Sequence, residues 1–170
     1  NVVYIDRVES QWPLGLRFEP GSRVPLHCTA IGKLLLSQLP AEALAAQLAN
    51  GNLTRYTATT ITDRRRLKQE LSRIREHGYS TDNQEFMSGV VCIAVPVRGP
   101  RDRTACAGLA ISAAQARYTL AGVKRFLPDL RAAAARLERA LADDDAALAK
   151  PGGKAGPKPL AKTRRTKAGT

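Results

Sequence analysis

The stretch Val90 to Val97 is almost continuously apolar. A strand without polar alternation has to be covered on both faces, because a face left to water would carry polar residues. That one run therefore demands a sheet with a layer of other elements on each side. A turn follows at Arg98 to Asp102, and Thr104 to Ser112 returns the chain as a second strand. Strands joined by so short a connection run antiparallel. Their side-chain period of two sets a parity condition. Cys92 and Ser112 share a face if Val97 opposes Arg103, and lie on opposite faces if Arg98 opposes Arg103.

The rest of the chain supplies the covering layers. Residues 1–9 read as a strand rich in Val, Tyr and Ile, and Pro13 to Phe18 alternates with Leu14, Leu16 and Phe18 on one face. Pro20-Gly21-Ser22 is a turn, and Val24 to His27 is extended. A helix is expected to start after Thr29, a good N-cap, and to stop at Pro40. A second helix covers Ala41 to Ala49, with Asn50-Gly51 read as a left-handed end. A third, capped by Thr62 or Asp63, carries Leu67, Leu71 and Ile74 and ends at Gly78; its exposed face is rich in arginine. Tyr79 to Asp82 is a short strand, and Asn83 to Gly89 a loop. The last helix is expected over Thr119 to Ala142. Leu120, Val123, Leu127, Leu130, Ala134, Leu137 and Leu141 form a narrow seam along it. Pro128 should kink this helix, which favours packing on the chain's own sheet over a long coiled coil. The order of strands, helices, strands and helix predicts an α+β domain.

Of the net charge of +12, the final stretch Lys150 to Thr170 carries +7 and no acid, which leaves +5 for residues 1–149. We expect a folded domain over 1–145 and a disordered basic tail of Lys, Pro, Gly and Ala over 146–170. Such a tail could hold DNA phosphates without sequence preference or serve only as a solubilising extension. The chain opens on Asn1-Val2-Val3 without a Met, so residue 1 is not expected to be the natural start. No apolar run approaches the ~18 residues a membrane span needs. Three cysteines, an odd number without close pairing, fit a reduced, cytoplasmic setting.

Chemistry-bearing residues are sparse. There is no Gly-rich phosphate loop, no nucleophile elbow and no CxxC pair. His27, Cys28, Asp82 and Cys92 are suitable zinc ligands by type, but their spacing matches no compact zinc motif. His27 and Cys28 are neighbours on extended chain and point apart, which weakens them as a catalytic pair. No metal, cofactor or enzymatic activity is expected. A thiol- or metal-based sensor using Cys28 and Cys92 is the alternative kept open. Taken singly, Ser112 reads as a strand end, Asp82 as a turn cap and Cys92 as core.

Three spaced segments point further. They are Pro25-Leu26-His27-Cys28-Thr29-Ala30-Ile31-Gly32-Lys33, then Gly78-Tyr79-Ser80-Thr81-Asp82 continuing through Glu85 to Gly89-Val90-Val91-Cys92-Ile93-Ala94-Val95-Pro96-Val97, then Gly108-Leu109-Ala110-Ile111-Ser112. Together with Tyr4 to Ser10 they resemble the effector-binding domain of the IclR family of bacterial transcriptional regulators, over residues 2 to 142. The resemblance implies a GAF-like (profilin-like) antiparallel sheet with helices on both faces. It implies dimers or tetramers, and DNA contact through a winged helix-turn-helix domain that this chain does not contain. It implies a pocket for a small organic acid, aromatic ones included.

The resemblance also assigns residues. The helix start at Thr29, Ala30 and Ile31 would hold the effector's carboxylate, as unpartnered first-turn N–H groups attract anions. Asp82, Cys92 and Ser112 match the positions offering polar contacts, and Leu16, Val24, Met87 and Val90 match the apolar wall. Two departures stand out. Ala110 replaces the first serine of a common Ser-x-Ser pair, and Ile31 is bulkier than the usual residue.

Overall fold

The computed structural model describes residues 2–8, 19–102 and 104–148. Its centre is a three-stranded antiparallel sheet of β3 (Ser80–Asn83), β4 (Val90–Arg98) and β5 (Ala105–Ala114), in the order β3-β4-β5. The apolar run is thus the middle strand, as its lack of alternation requires. Val91, Ile93, Val95 and Val97 point to one layer, and Ala94 to the other. Pro96 falls past the end of β3, which reaches only as far as Ala94. There β4 is paired on one side only, the setting in which a strand tolerates a residue without an N–H.

One layer is built by α1 (Ala30–Gln38), α2 (Ala41–Asn50) and α3 (Arg64–His77). Leu34 and Leu36 of α1 and Leu67, Leu71 and Ile74 of α3 are almost fully buried in it. Gly108 of β5 lets α1 come close: a Cβ there would lie 3.2 Å from Ile31 and 3.3 Å from Leu34. The other layer is α4 (Leu120–Lys124) and α5 (Leu127–Leu148), packed through Val123, Leu130 and Ala134. Helices therefore cover both faces of the sheet. A separate two-stranded pair, β1 (Val2–Val3) with β2 (Arg23–Val24), joins the first layer through Val2 and Val24.

Several expectations are corrected. The strand over 1–9 shrinks to Val2–Val3, paired with Arg23 and Val24; Tyr4 meets the turn itself, bonding to Ser22 and Gly21, and beyond it Ile5 and Val8 are 81% and 97% exposed. Gly51 ends α2 in an extended conformation (φ −77°), not a left-handed one, whereas Gly78 does close α3 with φ 71°. Asp63, not Thr62, caps α3, accepting from the N–H of Arg66 at 2.7 Å. The arginines of α3 are not merely solvated. Arg64 Nε donates to the carbonyl of Leu48 (2.8 Å) and Arg75 Nε to that of Ser37 (2.8 Å), which satisfies the ends of α2 and α1.

The last helix is two helices. The chain breaks between Lys124 and Leu127, and Pro128 falls in the first turn of α5, where its missing N–H is not needed. The first half of the seam packs on the sheet; Leu137 and Leu141 are 46% and 40% exposed. The hairpin keeps the parity that puts Cys92 and Ser112 on one face, but in a different register. Val97 opposes Ala107, Arg98 opposes Ala105 across an irregularity, and Cys92 lies directly opposite Ser112. The alternation over 13–18 and nearly all of the basic tail lie outside the described residues.

Candidate functional site

The site starts from the turn before α1. Thr29 Oγ1 accepts from the N–H of Gly32 (3.1 Å) and donates to the carbonyl of Pro25 (2.7 Å). One hydroxyl thus caps the helix and pins the incoming chain to it. The price is space. A Cβ on residue 32 would sit 2.4 Å from the carbonyl oxygen of Leu26 and 2.5 Å from Thr29 Oγ1, so only glycine fits. The N–H groups of Ala30 and Ile31 fall in the first turn, where an α-helix offers them no carbonyl.

The next residue, Lys33, is 1% exposed. Its ammonium forms an ion pair with Glu85, and lies 3.5 Å from Glu70 of α3. Glu70 is also held by Arg73 through two hydrogen bonds of 2.8 and 3.0 Å. Burial pushes Glu70 up, but the hydrogen bond from Arg73 and the charge of Lys33 outweigh it and hold the carboxyl below its ordinary value. Glu85 sits deeper. There burial dominates and raises its carboxyl despite Lys33, and Glu85 Oε2 is buried without a hydrogen-bond partner.

Glu85 belongs to the loop between β3 and β4, which is tied down at both ends. Asp82 Oδ1 accepts from the N–H of Glu85 at 2.6 Å. The hydroxyls of Thr57 and Thr60 donate to the carbonyls of Gln84 and Glu85, each at 2.6 Å. Gln84 takes the left-handed region (φ 61°) between them. These anchors fix Phe86 and Met87 over the start of α1.

Between these parts lies a small cavity of about 20 Å³, lined by Tyr4, Thr29, Ala30, Ile31, Asp82, Phe86, Met87, Val90, Cys92, Ala110 and Ser112. Its volume is that of one or two waters. Asp82 is 3% exposed and Met87 39%, so the carboxylate lies deep and the methionine near the opening. Cys92 Sγ donates to Ser112 Oγ at 3.2 Å across the β4–β5 pair. Burial pushes the Asp82 carboxyl from its ordinary value to about 7. The N–H of Glu85 opposes this, and the charge of Glu85 adds to it. Burial likewise raises the thiols of Cys28 and Cys92 and the phenol of Tyr4, each to about 12.

Eight of the ten residues expected in a pocket thus come together: Thr29, Ala30, Ile31, Asp82, Met87, Val90, Cys92 and Ser112. Val24 does not. It is drawn into the core against Val2, because β2 pairs with β1 and turns that side chain away. Leu16 lies outside the described residues. Asp82 unites two readings that looked exclusive, since it closes the turn and lines the cavity. Tyr4 and Phe86 were not anticipated. Neither belongs to a periodic segment, and Phe86 is placed by an edge-on ring contact with Tyr56, 30 residues away. The Thr57–Thr60 anchors were also missed; only the cluster of hydroxyls marks them.

Among the described residues no group of His, Cys, Asp and Glu is arranged to hold a metal ion. His27 is spent on the carbonyl of Thr54 (2.9 Å), and thiols raised so far are poor nucleophiles. His27 also borders a larger, more open cleft of about 200 Å³ beside α2, but none of the expected pocket residues lines it. No described helix is long and apolar enough to cross a membrane.

A sheet covered by helices on both faces, with a cavity at a capped helix start, is the architecture of an effector-binding domain of bacterial transcriptional regulators. The chain belongs to the IclR family: the model of its regulators' C-terminal region, described as bacterial transcriptional regulator IclR C-terminal, matches residues 1–139. The probable transcriptional regulator SauR of Cupriavidus necator is 47% identical over 134 residues, which are 79% of this chain and 53% of that protein. The crystal structure of Thermotoga maritima IclR superposes with a TM-score of 0.76 at 34% identity, covering 82% of this chain and 56% of that one. The inducer-binding domain of the PobR transcription factor of Acinetobacter, a double mutant in complex with 3-hydroxybenzoic acid, superposes with a TM-score of 0.67 at 33% identity. It covers 72% of each chain. The chain spans about half the length of the curated relatives it matches, and those relatives are transcriptional regulators, not enzymes.

Proposed function

We propose that the cavity beside Thr29 is the effector site, that it takes a small organic carboxylate, and that occupancy shifts the regulator between oligomeric states of different operator affinity. The observation that carries the reading is convergence. The unpartnered N–H groups of Ala30 and Ile31 meet Asp82, Cys92 and Ser112 at one enclosed spot. A carboxylate suits the helix end, and a hydroxyl or carbonyl on the same molecule suits the Cys92–Ser112 pair. The 3-hydroxybenzoic acid bound by the PobR domain is a molecule of this type. Ala110 offers no hydroxyl at the position where the family resemblance implies the first serine of a Ser-x-Ser pair, so the ligand is expected to make fewer polar contacts along β5. The cavity as it stands holds little more than water, so entry requires the Phe86–Met87 segment to move outward. Because the chain spans about half of its regulator relatives, DNA contact is proposed to fall to a winged helix-turn-helix domain in the remaining part of such a protein.

The test is thermal unfolding with a panel of small 2-oxo acids, hydroxy acids and hydroxybenzoates. A ligand at a hundred times its Kd stabilises by about 2.7 kcal/mol. For a domain of this size that raises Tm by roughly 5–10 °C. Ser112→Ala should weaken the response of the best member. A panel that leaves Tm unmoved in wild type would end this reading.

A further inference from the structure

The cavity has an electrostatic conflict. A helix start invites an anion, yet the deepest titratable group beside it is itself an acid. Among the described residues that line it, none is a lysine or arginine. The nearest buried cation, Lys33, is engaged by Glu85 and Glu70 and is not part of the lining. The charged groups acting on Asp82 are Glu85 from its own loop and Lys33 from α1, while the thiols of Cys92 from β4 and Cys28 from the turn before α1 and the phenol of Tyr4 from the segment after β1 face it as neutral groups. Lys33 alone among them is positive, and Glu85 already balances it. With Asp82 ionised, an entering carboxylate would bring a second negative charge beside it in a buried site, and two like charges held close together disfavour each other's ionised form.

Resting on the reading of this cavity as the effector site, we propose that a carboxylate effector enters together with one proton, which Asp82 takes up from solvent. The ionised carboxylate becomes a neutral carboxyl group, and no other bond changes. Oδ1 stays on the N–H of Glu85, and the N–H of Phe86 also donates to this carboxyl. The other oxygen can then carry the proton as a donor toward the bound anion, a contact an ionised Asp82 could not make. Proton uptake is easy near neutrality, because burial has already brought this group to about 7. Asp82 is then a specificity residue. It rewards anions when protonated and hydroxyl-bearing neutral molecules when ionised, so pH selects the ligand class.

Calorimetric titration of the full chain with 3-hydroxybenzoate and with pyruvate, both ionised throughout pH 6 to 8.5, tests this. Affinity should fall about 30-fold between pH 6 and pH 8.5, since each pH unit above the titration of Asp82 costs up to tenfold. At pH 8 in Tris and in phosphate, whose ionisation heats differ, the binding heats should report close to one proton taken up. Asp82→Asn keeps an acceptor for Glu85 and should bind at pH 8.5 as wild type does at pH 6, with no proton uptake. Glu85→Gln should retain the pH dependence. Affinity independent of pH in wild type, or proton uptake that survives in Asp82→Asn, overturns the proposal and leaves the carboxylate site standing. Failure of both acids to bind at any pH removes the site reading and this inference together. If Asp82→Asn does not fold, the proton count in wild type decides alone.

Discussion

At the residue scale, Asp82 is a group whose surroundings strongly distort its ordinary behaviour. The folded protein holds a proton on it up to about pH 7, whereas the unfolded chain releases it near 4. Protons bound only in the folded state make stability fall as pH rises. The contribution is therefore full below pH 4, declines between about 4 and 7, and is absent above 7. Urea unfolding of Asp82→Asn should show a variant more stable than wild type at pH 8, by up to about 4 kcal/mol. That advantage should shrink steadily toward pH 5, and an advantage constant with pH would contradict the assignment. The cysteines give a second check. Cys28 is fully buried, Cys92 is turned inward with a thiol raised to about 12, and Cys106 is exposed. Titration of native protein with a thiol-reactive dye should label one cysteine quickly, and mutation of Cys106 should remove that fast phase. Rapid labelling of Cys28 or Cys92 would restore the thiol-sensor alternative.

At the scale of elements, the start of α1 is the most tightly specified part of the chain. Thr29, Gly32 and Lys33 occupy successive functions within one turn: cap, space and buried charge. Gly32→Ala should destabilise by about 2–4 kcal/mol in chemical unfolding, because its new Cβ would press on the Leu26 backbone, which cannot step aside, and on the capping hydroxyl of Thr29. Gly122→Ala in α4, where the nearest atom is 3.4 Å from the new Cβ, should change stability by less than about 1 kcal/mol. Equal effects would mean that the turn is looser than its geometry implies. The segment Pro25 to Lys33 was legible as a unit because it spells a capped helix start locally. What Lys33 does was not legible, because its partners lie 37 and 52 residues further along.

At the scale of the whole molecule, β4 is the element shared by both layers, and its side chains feed two separate apolar clusters. Its amides should open only when the domain unfolds. Hydrogen exchange should therefore be slowest over Val91 to Val97 and fast over residues 5–8, where Ile5 and Val8 lie bare. Faster exchange in β4 than in α3 would place the stable centre elsewhere.

The expected cavity residues came from the family resemblance; what the sequence by itself determined was the sheet's middle strand, the start of α1, the end of α3 and the parity condition on Cys92 and Ser112. Those features follow from periodicity, caps and parity, which act over a few residues or across one hairpin. Only the tertiary structure decided that Val24 belongs to the core and that the last helix breaks before Pro128. Only it showed that Phe86 and Tyr4 close the cavity. It also decided that Asp82 lies beside Glu85, while Lys33 is engaged by Glu85 and Glu70. Burial and the charges around a group are set by segments far apart in the chain, and no local pattern encodes them.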